Sequence, residues 1–185
     1  MNTQHAFTLI EILVAMAVIA ILAMVALPNL RPMLINNRMT SKTNDFISAI
    51  NYVRTESITR FGRPLRIQPI DYQDDKNDWS KGWQIVDNSK GDDWKQVEDE
   101  GEESEILKIF DYNNDQIVIK INKGGCSASD PSICYKARGR VQTLYEFHIC
   151  SNGHPTGNVV TITTIGRART ESCSLGESPC PNTCP

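Results

Sequence analysis

The chain combines an N-terminal apolar run with a longer part of mixed polarity. Residues 7–27 are almost all apolar, and a single carboxylate, Glu11, lies among them. A helix over these residues would be about 31 Å long, close to the thickness of the hydrocarbon core of a bilayer. The pattern therefore predicts that residues 7–27 form a transmembrane helix. The presence of Glu11 then needs an explanation, because a carboxylate in lipid costs a few kcal/mol.

After this run the polarity rises, but apolar positions continue at helical spacing. The predicted stripe contains Leu30, Leu34, Phe46, Ile50, Val53 and Ser57. Because the stripe continues after Pro28 and Pro32, we expect these prolines to bend the helix rather than end it. One helix is therefore predicted over residues 7–61, with Gly62 as its C-terminal cap and Pro64 as its block.

Beyond the helix the spacing shifts towards alternation, which is typical of strands. Six segments separated by Gly, Asn and Asp show it: PLRIQPI, KGWQIV, EILKIF, QIVIKI, VQTLYEFHI and NVVTITTI. No second helix is predicted to make crossovers, so the sheet should be antiparallel and the class α+β. The β-rich head is predicted over residues 62–169, with the acidic stretch 87–105 as a solvated loop. Residues 170–185, rich in Ser, Pro and Cys, are predicted to form a tail or a disulfide-clipped loop.

The cysteines lie far from the apolar run, in the last third of the chain. They are Cys126, Cys134, Cys150, Cys173, Cys180 and Cys184. A chain anchored at its N-terminus would place them away from the membrane, which favours disulfides in an oxidising compartment. Six cysteines allow fifteen pairings. We expect Cys126–Cys134 and Cys180–Cys184 because they are local, and Cys150–Cys173 by remainder.

Composition gives few candidates for catalysis or metal binding. The formal net charge is −3 and the pI about 5.6, so the global balance does not suggest a polyanion partner, although local clusters could override it. No CxxC pair is present, and His148 and His154 alone make a weak metal site. His148 alternates with apolar neighbours in a predicted strand, and no catalytic motif such as G-x-S-x-G accompanies it. We therefore expect no metal, no cofactor and no enzymatic activity.

The segment AFTLIE followed by a long apolar run resembles the class III signal of type IV pilins and pseudopilins. The resemblance implies that residues 1–6 are a leader, that a prepilin peptidase cuts between Ala6 and Phe7, and that Phe7 becomes N-methylated. Two positions depart from the usual pattern: Ala6 replaces Gly, and the leader MNTQHA has no Lys or Arg. A secretory signal peptide is a poorer match, because it needs a basic region and a shorter apolar stretch.

The same resemblance implies a role for Glu11, which becomes the fifth residue of the mature chain. In a filament its carboxylate would meet the α-amino group of a neighbouring subunit, so Glu11 is expected to pair between chains rather than within one. A buried charge compensated only on docking sets the register of assembly. The implied partners are other pilin subunits. The implied location is the bacterial inner membrane with a periplasmic head, and then a pilus at the cell surface.

The head resembles the GspH/FimT-like branch of minor pilins and pseudopilins. The matching segments are Phe46-x-x-Ala49-x-x-x-x-Val53-Arg54-x-Glu56-Ser57-x-x-x-Arg60, Trp79-x-x-Gly82-Trp83 and Ile165-Gly166-Arg167-Ala168-Arg169. Arg54 and Glu56 are expected to lie on the helix surface without pairing with each other. Trp79 and Trp83 are expected to be core residues rather than ligand platforms.

In FimT-like proteins the DNA-contacting arginines lie in such a G-R-x-R motif. The resemblance therefore implies that Arg167 and Arg169 bind double-stranded DNA, with a second basic group formed by Lys136, Arg138 and Arg140. The leading function is a minor pilin that binds extracellular DNA for uptake in natural transformation. The alternatives are an H-type pseudopilin of a type II secretion system and a pilus-priming minor pilin without DNA binding.

Overall fold

The computed structural model describes residues 8–59, 64–71, 78–87, 105–112, 116–126, 130–177, 180 and 184, without the side chains of 25–29 and 137. The chain forms two compact units, residues 1–37 and residues 38–185. Most of the predicted acidic loop, residues 88–104, lies outside the described part, as do the leader and Phe7.

One long helix, α1 (Leu9–Thr59), contains 51 residues and continues through Pro28 and Pro32. The expectation that these prolines do not end the helix is confirmed. The predicted end at Phe61 and the cap at Gly62 fall on residues that the structure does not describe. In the described part of the chain, no helix offers an apolar stretch long enough to cross a membrane.

The C-terminal part of α1 belongs to the second unit and supplies one wall of its core. The buried positions follow helical spacing: Met39, Phe46, Ala49, Ile50, Val53 and Ser57. The predicted stripe is therefore confirmed from Phe46 onwards. Leu30 and Leu34, which were assigned to the same stripe, lie in the first unit and are 48% and 55% exposed.

The head contains nine described strands. They are β1 (Leu65–Pro69), β2 (Gly82–Asp87), β3 (Ile106–Asp111), β4 (Ile117–Lys123), β5 (Ile133–Lys136), β6 (Arg140–Val141), β7 (Tyr145–Ser151), β8 (Thr156–Ile162) and β9 (Ala168–Ser174). They form two sheets with the strand orders β3-β2-β1-β5-β6 and β4-β7-β8-β9. Every pairing is antiparallel, so the predicted α+β class with an antiparallel head is confirmed.

Each of the six predicted segments contains or overlaps an observed strand. Strands β5 and β9 were not predicted, and β6 falls within a predicted segment only at Val141. Strand β5 has four residues and β6 has two, which is too short for alternation to be recognised. Strand β9 consists mainly of exposed polar residues, so it lacks an apolar face that the sequence could reveal. It also crosses the boundary predicted between the head and the tail at residue 169, because it continues to Ser174.

Aromatic packing joins α1 to both sheets. The ring centroid of Phe46 lies 5.0 Å from that of Trp83 in β2 and 4.9 Å from that of Phe147 in β7. Trp79 also packs edge-to-face against Phe46 at 5.8 Å. Both tryptophans are fully buried, so their predicted core role is confirmed.

Three disulfides close the cysteine-rich part: Cys126–Cys134, Cys150–Cys184 and Cys173–Cys180. The first pairing is confirmed, and the expected pairs Cys150–Cys173 and Cys180–Cys184 are wrong. Gly157 of β8 lies opposite Cys150 of β7 on one side and opposite Cys173 of β9 on the other. They are thus two strand spacings apart, about 10 Å, which exceeds the reach of a disulfide. The tail cysteines instead connect to each of these strands separately.

We expect the Cys150–Cys184 link to stabilise the head more than the Cys173–Cys180 link. The first closes a sequence separation of 34 residues and the second a separation of 7. Loop-closure entropy gives about 4 kcal/mol for the longer loop and about 2 kcal/mol for the shorter one. Urea unfolding of Cys150→Ser/Cys184→Ser and of Cys173→Ser/Cys180→Ser, each compared with the unmodified head, would measure both. A larger loss for the shorter loop would contradict this ranking.

Candidate functional site

Two turns of the head meet at their glycines. The first turn contains the 3-10 segment Ala137–Gly139 between β5 and β6, and the second contains Gly166 between β8 and β9. Both glycines have a positive φ, 67° at Gly139 and 76° at Gly166, where glycine is favoured. A Cβ added to Gly166 would lie 2.1 Å from the carbonyl oxygen of Gly139. The two backbones are therefore in direct contact, and a side chain at position 166 would collide with the first turn.

Hydrogen bonds across the two sheets hold this contact. The hydroxyl of Tyr135 in β5 donates to the carbonyl oxygen of Gly166 at 3.1 Å. The backbone N–H of Val141 in β6 donates to the carbonyl oxygen of Thr164 at 3.2 Å. Burial raises the pKa of Tyr135 well above its ordinary value, so the phenol stays protonated and remains a donor. The touching turns thus form a junction between the sheets.

Arg54 of α1 lies against both turns. Its Nε donates to the carbonyl oxygen of Ile165 at 3.4 Å. A Cβ added to Gly139 would lie 3.0 Å from Cγ of Arg54. The sequence placed Arg54 only on the helix surface, and this contact was missed. The sequence showed an arginine in the Val53–Ser57 segment. Local spacing cannot reveal that this arginine contacts a residue 111 positions away.

The five basic residues predicted to bind DNA border these turns, and we call them the basic cluster: Lys136, Arg138, Arg140, Arg167 and Arg169. All five are exposed. Lys136 lies opposite Arg140 in the β5–β6 pair, and Arg167 follows Gly166 directly. Since Gly139 touches Gly166, the two turns that these basic residues border are in contact. Guanidinium groups donate charge-assisted hydrogen bonds to phosphate oxygens, so the cluster could contact a polyanion.

Glu11 has a partner within its own chain at the start of α1. Its backbone N–H donates to the hydroxyl oxygen of Thr8 at 3.3 Å. Its carboxylate accepts from the backbone N–H of Thr8 at 3.5 Å. This reciprocal arrangement is a capping box, although the second distance is long. The expectation that Glu11 pairs between chains concerns an assembled filament and stays a prediction, and Ala6 and Phe7 lie outside the described residues.

The two histidines of the head are held by neighbouring groups. His148 is 7% exposed, and its Nε2 lies 3.0 Å from Oε1 of Glu146. Nδ1 of His154 lies 3.1 Å from the hydroxyl oxygen of Thr156. Among the residues that the structure describes, no group of three or more His, Cys, Asp or Glu side chains is arranged to hold a metal ion.

Comparison with known proteins gives two family matches. The family model described as type II transport protein GspH matches residues 42–166. The model of the prokaryotic N-terminal methylation motif matches residues 1–27. No curated protein and no solved structure matches the chain. The first match ends at Gly166 and so includes both touching glycines.

We expect Gly166→Ala to destabilise the head much more than Gly153→Ala. Both positions have a φ near +75°, but nothing lies within 4 Å of a Cβ added to Gly153. The control substitution should therefore show only the backbone cost of about 1 kcal/mol. Gly166→Ala must also displace the carbonyl of Gly139. Urea unfolding would measure both variants, and equal losses would show that the junction tolerates a side chain.

Proposed function

The chain belongs to the GspH family of type IV pilin-like proteins, and on this premise we propose that it is a minor pilin that binds extracellular DNA for uptake in natural transformation. Membership implies assembly with other pilin subunits and processing by a prepilin peptidase. We propose that cleavage occurs between Ala6 and Phe7, with N-methylation of Phe7. The observation that supports the DNA-binding proposal is the contact between Gly139 and Gly166, since it joins the two turns that the basic cluster borders.

Local charge supports DNA as the ligand, despite the net charge of −3. The five cations of the basic cluster are exposed and border the two touching turns. A lysine or arginine side chain that contacts a phosphate releases counterions from DNA, and this gain does not depend on base sequence. The proposed binding is therefore electrostatic, with little sequence preference.

The location is proposed from the N-terminal run and from the cysteines together. Residues 7–27 would anchor the subunit in the inner membrane before assembly, and the head would lie in the periplasm. All six cysteines of the head are joined in disulfides, which form in oxidising compartments such as the periplasm. After assembly the head would lie on a pilus at the cell surface, where DNA is accessible.

A second candidate is an H-type pseudopilin of a type II secretion system. It is favoured by the description of the matching family, which is a type II transport protein. A pilus-priming minor pilin would share the same scaffold. Neither alternative requires DNA binding by the basic cluster, so a binding measurement distinguishes them from the leading proposal.

We expect the head, residues 38–185, to bind double-stranded DNA with strong salt dependence. This unit contains its own core, both sheets and the three disulfides, so it has the contacts needed to fold alone. With three to five phosphate contacts, log K should fall against log salt with a slope of roughly −3 to −4.5. Fluorescence anisotropy at several salt concentrations would measure it. Arg167→Gln/Arg169→Gln should weaken binding and flatten the slope.

The matched control for this experiment is Arg38→Gln/Lys123→Gln. It removes the same charge from two exposed residues outside the basic cluster. The control should retain nearly all of the affinity. If the unmodified head fails to bind at low salt, or if both double variants weaken binding equally, the secretion or priming role becomes the better assignment.

Glu11→Ala should leave the subunit in the membrane but reduce its incorporation into filaments. The substitution removes the proposed inter-subunit partner together with the capping carboxylate. Thr8→Val removes the hydroxyl that accepts from Glu11 N–H while leaving the carboxylate, so it should assemble almost normally. Immunoblots of sheared filaments and membranes would measure both. Equal defects in the two variants would assign the role of Glu11 to helix capping.

A further inference from the structure

Among the strands that the structure describes, β9 is at one edge of the second sheet, next to β8. Its central residues, 169–172, are exposed. An edge strand presents backbone N–H and C=O groups that can pair with another strand. The side chains of this edge include one arginine and one glutamate, Arg169 and Glu171, on the same face.

The hydrogen bonds at the two ends of the β8–β9 pair establish which backbone groups point outwards. Thr163 N–H donates to Arg167 C=O at 3.0 Å, and Leu175 N–H donates to Pro155 C=O at 2.9 Å. Between these points the register of β9 on β8 is continuous. Because hydrogen-bonded and non-hydrogen-bonded pairs alternate, the odd-numbered residues of β9 bond to β8. Ala168, Thr170 and Ser172 therefore direct their N–H and C=O groups away from the sheet.

We propose that β9 is a self-pairing edge that binds the β9 strand of a second copy of this chain, antiparallel and centred on Thr170. In this register each Thr170 forms a hydrogen-bonded pair with the other, and Ala168 lies opposite Ser172. Arg169 then lies opposite Glu171 twice. These two charge pairs occupy non-hydrogen-bonded positions, where opposite side chains are closest. The pairing would join two four-stranded sheets into one continuous sheet.

Charge selects this register over its neighbours. The outward-pointing groups allow pairings centred on each residue from Ala168 to Ser172, and centring on Arg169 or on Glu171 would place that charge opposite its own copy. Centring on Ala168 would place Arg167 opposite Arg169, so like charges would repel. Centring on Ser172 would place Arg169 opposite Leu175 and Glu171 opposite Cys173, which leaves both charges without an opposite partner across the interface. Among these five registers, the one centred on Thr170 alone places both Arg169 and Glu171 opposite an opposite charge.

This self-pairing rests on β9 and does not depend on DNA binding. Glu171 is outside the basic cluster, so a change there tests the pairing separately from the proposed function. Arg169 belongs to both surfaces. Pairing would therefore place part of each basic cluster beside the contact between the two heads.

A cysteine introduced at the centre of β9 tests the register. All six native cysteines are in disulfides, so a seventh can cross-link only between copies or by exchange. Cα atoms of a hydrogen-bonded antiparallel pair lie about 5.5 Å apart, within disulfide range. Thr170→Cys in the oxidised head should therefore give a disulfide-linked dimer. Ser172→Cys, also exposed, is the matched control, because its two copies would lie about 13 Å apart along the strands.

The charges are tested in the Thr170→Cys background on non-reducing gels. Adding Glu171→Arg should slow cross-linking about tenfold, because Arg169 then meets an arginine twice. Adding Arg169→Glu to that variant reverses both charges and should restore the rate. Cross-linking of Ser172→Cys as fast as Thr170→Cys, absence of cross-linking with both, or failure of the charge reversal to restore the rate would each overturn the proposal.

Discussion

Phe46 contacts aromatic side chains of both sheets, and the packing of the head depends on this contact. Its edge-to-face neighbours are Trp83 from the first sheet and Phe147 from the second. Aromatic pairs have preferred distances and angles, so one side chain of α1 restricts the placement of both sheets. Lys42, one turn earlier, is buried and donates from Nζ to the carbonyl oxygens of Ser80 and Ile117 at 2.6 and 3.2 Å. These hydrogen bonds connect α1 to the head at a second position, one turn before Phe46.

The junction between Gly139 and Gly166 has a different physical basis from the core. It brings two backbones together where no side chain can intervene, and Tyr135 joins the sheets across it. The residues of the basic cluster border these turns, and the turns meet through a close backbone contact.

Strand β9 is both linked to the tail by a disulfide and exposed at the edge of its sheet. Cys173 anchors β9 to the tail, while Gly157 in the neighbouring strand leaves room for Cys180, whose sulfur would be 3.4 Å from an added Cβ. Residues 169–172 of β9 remain exposed. A covalently tied edge strand loses less conformational freedom on pairing than a loose one would.

The sequence by itself determined the helix, its core stripe from Phe46 to Ser57, six strand segments and the oxidised state of the cysteines. These features depend on local periodicity and composition, which each segment carries independently of its neighbours. The AFTLIE and G-R-A-R motifs also indicated the family before any geometry was known. The order of strands, in contrast, depends on packing between residues that are distant in the chain. Such packing decided that Cys150 cannot reach Cys173, that Arg54 contacts the turn at Ile165, and that the two turns bordered by basic residues touch at Gly139 and Gly166.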